Sequence, residues 1–193
     1  MNDIKVLDCT LRDGGYINDF AFGEKVISEV ICRLAGANVD IIECGFLKSG
    51  CYDKDKSLFG NIAAVKKVIG AKNKDVMYVA MIQYGAISID EIQEYDGYSI
   101  DGIRVTFHEH EIEDALVLGR QLMEKGYKVF MQPVGTTTYE DDNLICLIKK
   151  INALNPFAFY IVDTLGLMYK NDLLRLFYIV DHNLDRSISL GFH

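Results

Sequence analysis

The feature that most restricts this chain is a rhythm. Short apolar runs with strand character recur at spacings of roughly 25–35 residues, and helical patterns fill the intervals. IKVLDCT (4–10) is followed by a stripe of Val26, Ile27, Val30, Ile31, Leu34 and Ala35, closed by the stop signals Gly36 and Asn38. VDIIECGF (39–46) reads as a second strand, NIAAVKKVIG as a short helix, and DVMYVAMIQ (75–83) as a third strand. Ser88 with Glu91 forms a capping box that opens another short helix. IDGIRVTFH (100–108) is a fourth strand. The helix after it puts Ile112, Ala115, Leu116, Gly119, Leu122 and Met123 on one face and ends at Gly126. YKVFMQPV (127–134), AFYIVDTLG (158–166) and SISLGFH (187–193) bring the strands to seven.

Strands separated by helices at this spacing are parallel, with right-handed crossovers. Two folds satisfy that pattern, an open doubly wound sheet and a (β/α)8 barrel. DGGY after the first strand lacks the GxGxxG spacing of a dinucleotide site. Strand faces decide between the two. Ile103, Val105 and Phe107 alternate with Arg104, Thr106 and His108; Ile188, Leu190 and Phe192 alternate with Ser187, Ser189, Gly191 and His193. A sheet covered on both faces gives continuous apolar runs instead. The expected fold class is therefore α/β, a (β/α)8 TIM barrel, and a full barrel takes about 250 residues and eight strands. Residues 1–193 are expected to form a single barrel domain, truncated after about seven strands. Its C-terminus then lacks about one to one-and-a-half βα units. Strand edges left open in this way invite a homo-oligomer or an additional C-terminal domain.

Composition excludes several classes. The 28 acidic and 20 basic residues leave a net charge of −8, with no basic run, which disfavours nucleic acid and anionic membranes as partners. No apolar run reaches the roughly 18 residues of a transmembrane helix, and MNDIKVLDC lacks the order of a signal peptide. Five cysteines without a CxxC pair argue against a disulfide framework or a zinc knuckle, and for a reducing, cytoplasmic compartment. Cys9, Cys32, Cys44 and Cys146 fall in apolar segments and are expected in the core, with Cys51 in a loop.

In such a barrel, chemistry collects at the C-terminal ends of the strands. Those ends carry Arg12 and Asp13, Glu43, Gln83, His108, Gln132, Asp163 with Thr164, and His193. Acids and a histidine beside an arginine suit a divalent metal and an oxyanion. Each has a plain structural alternative. Arg12 and Asp13 could be a surface pair at a turn, Glu43 a structural partner of Arg12, His108 and His110 helix-start residues, and Asp163 a turn residue. Gly14 and Gly15 are expected to permit a tight turn.

TLRDGGY, IIECGF, DTLG and LGFH, in this order along the chain, resemble the metal-dependent aldolase and lyase TIM-barrel superfamily. It includes the HMG-CoA lyases, the isopropylmalate and homocitrate synthases and the 4-hydroxy-2-oxovalerate aldolases, and the wording is most similar to the last. The resemblance implies Asp13 as a metal ligand, Arg12 as the stabiliser of an enolate oxygen and Glu43 as a group that shapes the site. It also implies His193 as the first histidine of an His-x-His ligand pair whose second member would lie beyond residue 193. A carboxylate and imidazole set suits Mn²⁺, Mg²⁺ or Zn²⁺. The implied activity is an aldolase or lyase that cleaves or forms a C–C bond next to a 2-oxo acid, through a pyruvate enolate.

One position departs from the pattern. The oxovalerate aldolases carry a histidine as base three residues after the RDG aspartate, where this chain has Tyr16. A phenol is a weaker base near neutral pH than an imidazole, which leaves the proton relay and the substrate alcohol open. With one histidine ligand of two, the 193-residue chain is expected to be inactive although its parent is an enzyme. A Claisen-type acyl-CoA condensing synthase and a non-catalytic barrel that binds a ligand or partner are the alternatives.

Overall fold

The computed structural model describes residues 4–193, so the first three residues of the MNDIKVLDC segment lie outside the description. Those residues form two compact units. The first runs to Ile103 and includes Lys125–Tyr127; the second comprises Arg104–Glu124 and Lys128–His193.

The first unit contains β1 (Leu7–Asp8), the helical turns α1 (Thr10–Asp13) and α2 (Gly15–Asn18), and α3 (Glu24–Gly36). β2 (Ile41–Leu47), the two-residue β3 (Leu58–Phe59), α4 (Ile62–Ile69) and β4 (Met77–Gln83) follow. β2 pairs in parallel with β1, β3 and β4. Ile27 and Ile31 of α3 and Val65 of α4 are buried, as are Ile42, Cys44, Val79 and Ile82 of the strands. Each of these valine and isoleucine side chains contributes about 1.5–3 kcal/mol when fully buried.

Sequence expectations fail locally here, for identifiable reasons. The strand expected over 4–10 contracts to Leu7–Asp8, because the Asp8 carboxylate accepts from the backbone and hydroxyl of Thr10, at 3.0 Å each, and turns the chain into α1. Val26, assigned to the buried stripe of α3, is 49% exposed. Cys32 and Cys146 are exposed rather than in the core, since the helical period carries both to solvent, and only Cys44 is fully buried. The Ser88–Glu91 capping box is present, but it opens only a 3-10 turn, Ile89–Glu91.

The second unit takes in Arg104–Phe107 of β5 (Gly102–Phe107), which begins in the first. It contains α5 (Ile112–Glu124), β6 (Lys128–Pro133), α6 (Asp141–Leu154), β7 (Ala158–Ile161), α7 (Lys170–Asn183) and β8 (Ser189–Phe192). β6, β7 and β8 are parallel, with Met131 beside Phe159 and Tyr160 beside Gly191. β7 stops before the expected 158–166, because the Asp163 carboxylate accepts from the N–H groups of Leu167 and Met168, each at 3.0 Å. The strand order β1-β2-β4-β5-β6-β7-β8, with β3 beside β2, follows the sequence. That is the order of a (β/α)8 barrel represented by seven strands of its path.

Candidate active site

The end of β1 shows how the chain aims charge. The carbonyl of Cys9 accepts from the N–H groups of Arg12 (3.0 Å) and Asp13 (2.8 Å), which closes α1. The Ser57 hydroxyl donates to the carbonyl of Leu11 at 2.6 Å and ties that turn to the segment before β3. Two glycines follow, and neither has a positive φ. A Cβ on Gly14 would stand 2.6 Å from the Thr10 carbonyl oxygen, and one on Gly15 2.1 Å from the Phe20 ring. They serve close approach rather than turn conformation.

Arg12 is thereby held inside the protein, only 6% exposed. Its Nε donates to Glu43 Oε2 at 2.8 Å, and its Nη1 donates to Asp13 Oδ1. Glu43 is fully buried in β2. Burial works to lower the Arg12 pKa, but the charge and hydrogen bond of Glu43, with Asp13 behind them, raise it above the ordinary guanidinium value. The cation is therefore permanent and fixed in direction. Asp13 has the opposite character, because its side chain is 44% exposed. One oxygen meets Arg12, and the other accepts from the Cys9 thiol at 3.7 Å.

β2 contributes through an irregularity. Between Glu43 and Phe46 its register with β4 shifts, and Gly45 adopts φ +142°. A Cβ there would lie 2.2 Å from the Ser57 carbonyl oxygen. Such a bulge re-aims the side chains on either side of it.

Of the residues singled out in the sequence, Arg12, Asp13 and Glu43 come together in the first unit. Tyr16 is 68% exposed, and its ring packs edge-on against Phe20 and Phe46 at centroid distances of 5.3 and 6.4 Å. His193 belongs to the second unit. Its N–H donates to the Ile161 carbonyl at 3.0 Å and its carbonyl accepts from Asp163 N–H at 2.7 Å, which carries the β7–β8 ladder to residue 193. His108 stacks on His110 with ring centroids 5.7 Å apart, and its N–H donates to Glu111. Asp163 serves its loop, and Thr164 Oγ1 accepts from Gly135 N–H.

Two features escape a sequence reading. Cys9 stands four residues before Asp13, a spacing that meets on one face only if the chain is helical there. The second is a buried pair on neighbouring strands, in which Arg104 Nη2 donates to Gln132 Oε1 at 2.8 Å.

No family model matches the chain. An oxaloacetate decarboxylase of Mycobacterium tuberculosis is 24% identical over 196 residues, covering 97% of this chain and 55% of that protein. The chain thus spans about half the length of the curated relative it matches. Among solved structures, the N-terminal domain of a candidate aldolase from Bacteroides vulgatus superposes with a TM-score of 0.76 at 21% identity. That match covers 98% of this chain and 64% of the other. The HMG-CoA lyase of Brucella melitensis superposes over 100% of this chain and 72% of its own, with a TM-score of 0.70 at 13% identity. The chain shares the TIM-barrel fold of these lyases. The superfamily resemblance carried by TLRDGGY and LGFH is accordingly matched at the level of the whole fold. The specific likeness to 4-hydroxy-2-oxovalerate aldolase is not reproduced among these relatives.

The resemblance carried by the sequence motifs implies a divalent ion, and the residues at β1 fit one. The half-exposed Asp13 carboxylate is a hard oxygen donor held in direction by Arg12, the type of ligand that Mg²⁺ and Mn²⁺ take.

Proposed function

We propose that the protein is a divalent-metal-dependent lyase that cleaves or forms the C–C bond next to the carbonyl of a 2-oxo acid, with a pyruvate enolate as the common intermediate. One observation carries the reading: Arg12 is a buried guanidinium clamped between Glu43 and the half-exposed Asp13. A cation fixed in this way needs no reorganisation when negative charge develops on a substrate oxygen, and preorganisation of that kind is a large source of rate.

Asp13 and His193 are proposed as the carboxylate and imidazole ligands, on the strength of the RDG and GFH motifs. When bound, the ion supplies Lewis acidity toward the substrate carbonyl. Glu43 holds the Arg12 guanidinium in direction and keeps it charged. Arg12 presents its cation to the enolate oxygen. Tyr16, three residues after Asp13, is proposed to carry a proton at the site, anchored by the rings of Phe20 and Phe46. The oxaloacetate decarboxylase relative favours decarboxylation of a 3-carboxylated 2-oxo acid beside aldol cleavage, since both release the same enolate.

The test is to incubate the full-length protein and Mn²⁺ with oxaloacetate and with a panel of 4-hydroxy-2-oxo acids, and to follow pyruvate. Release above that of Asp13→Asn supports the reading. Release equal to that variant across the whole panel sinks it.

A further inference from the structure

Gln132 lies one residue before the end of β6, at the end of the strand where barrels of this kind place their chemistry. Continuing the register from Met131 and Phe159 puts it beside Tyr160, whose own partner on β8 is Gly191. Gln132 is 1% exposed and Arg104 is fully buried. The guanidinium of Arg104 donates to Gln132 Oε1 and lies over the Tyr160 ring, 5.1 Å from its centroid. Gly191 makes room for that ring, because a Cβ there would stand 2.4 Å from it.

This arrangement fixes which way the amide points. A guanidinium has donors only, so the amide oxygen must face Arg104 and the nitrogen must face away from it. The usual uncertainty between the two ends of an amide is removed by chemistry. Gln132 Nε2 is buried and has no hydrogen-bond partner among the described residues. Proteins seldom leave a buried donor in that condition unless water or a ligand completes it. Pull from the cation behind it makes the amide a stronger donor.

We infer that Gln132 Nε2 donates to a carboxylate or carbonyl oxygen of the substrate, with Arg104 and Tyr160 as the positioning residues that lock its direction. This rests on the reading of the substrate as a 2-oxo acid, whose adjacent oxygens are the acceptors such a donor requires. Gln132→Glu keeps the shape of the side chain and the contact with Arg104, but replaces the donor by an acceptor that repels a carboxylate.

The experiment uses oxalate as the probe, in Mg²⁺ buffer, with ¹⁵N-labelled protein. The Gln132 side-chain amide pair is assigned by its loss in Gln132→Glu. The expected result is that oxalate shifts this pair, and that Gln132→Glu and Gln132→Leu each weaken oxalate binding about tenfold or more while thermal unfolding shows both still folded. An unmoved amide pair at saturating oxalate overturns the inference, as does Gln132→Glu binding like the parent, or no oxalate binding at millimolar concentration. Pyruvate release that Asp13→Asn abolishes, with the amide pair unmoved, refutes the Gln132 role and leaves the lyase reading intact. A shifted pair without metal-dependent pyruvate release does the reverse.

Discussion

Replacing Glu43 by glutamine preserves the side chain's shape and removes its charge. Glu43 is fully buried and Arg12 is 6% exposed, with the two joined at 2.8 Å. Removing one partner of a buried pair costs about 3–5 kcal/mol, because the other charge stays behind without compensation. Asp13 remains beside Arg12, but its side chain is 44% exposed, so water screens much of its effect. The glutamine oxygen can still accept from Arg12 Nε. Those two factors place the loss near the low end, at about 3 kcal/mol. For a chain of this size that is a fall of about 6–12 °C in Tm. Urea denaturation is the assay, with Arg12→Met and the double variant Arg12→Met/Glu43→Leu beside it. The double variant should recover most of the loss, since it leaves neither charge buried. A loss below about 1 kcal/mol for Glu43→Gln is the size of a surface pair and would refute the picture of a clamped cation. So would a double variant as unstable as the two single losses added together.

Three further outcomes follow from the geometry. Gly45→Ala forces a Cβ to within 2.2 Å of the Ser57 carbonyl oxygen at φ +142°, so it should lower the urea midpoint by the equivalent of about 1–3 kcal/mol. Under native conditions a thiol reagent should label the exposed Cys32 and Cys146 readily. It should reach Cys44 only on unfolding, because burial both hides that thiol and pushes its pKa up. Burial also pushes Tyr127 and Tyr139 up to about 12. A phenol whose pKa is higher folded than unfolded holds its proton more firmly in the native state, so stability is full below about pH 10 and falls between about 10 and 12. Tyr127→Phe should flatten part of that alkaline slope, measured as the urea midpoint against pH.

The barrel is legible in the sequence because a parallel strand and its crossover helix have different periods, and the alternation survives small errors at every boundary. Arg12, Asp13 and Glu43 are legible because charges that interrupt apolar runs at strand ends must have partners or functions. What is hidden depends on short-range or cross-strand geometry. The turn at Thr10–Asp13 follows from one Asp8 carboxylate that outcompetes strand pairing, and until that turn is known Cys9 and Asp13 fall on no common face. β3 has two residues, too few for any period. The Arg104–Gln132 bond joins residues 28 apart in sequence, and only the register of neighbouring strands brings them together. Cys32 and Cys146 mislead because residue type describes a tendency to be buried, whereas position on the helix decides it.

The irregularity in β2 has a consequence for how this chain can change in length. From Glu43 to Phe46 the strand advances three residues while β4 advances two, from Val79 to Met81. One residue is thus surplus to the ladder, and it is the device that lets two halves of a single strand keep different side-chain parities. Deleting one residue at Cys44 or Gly45 would heal the hydrogen-bonding pattern. It would leave Phe46 opposite Met81 and on the face it already shares with Glu43, so what is lost is the local bend that the surplus residue gives the strand and not the burial of Leu47. Insertions and deletions elsewhere in the loops alter only reach, whereas here the count of residues is itself the specification.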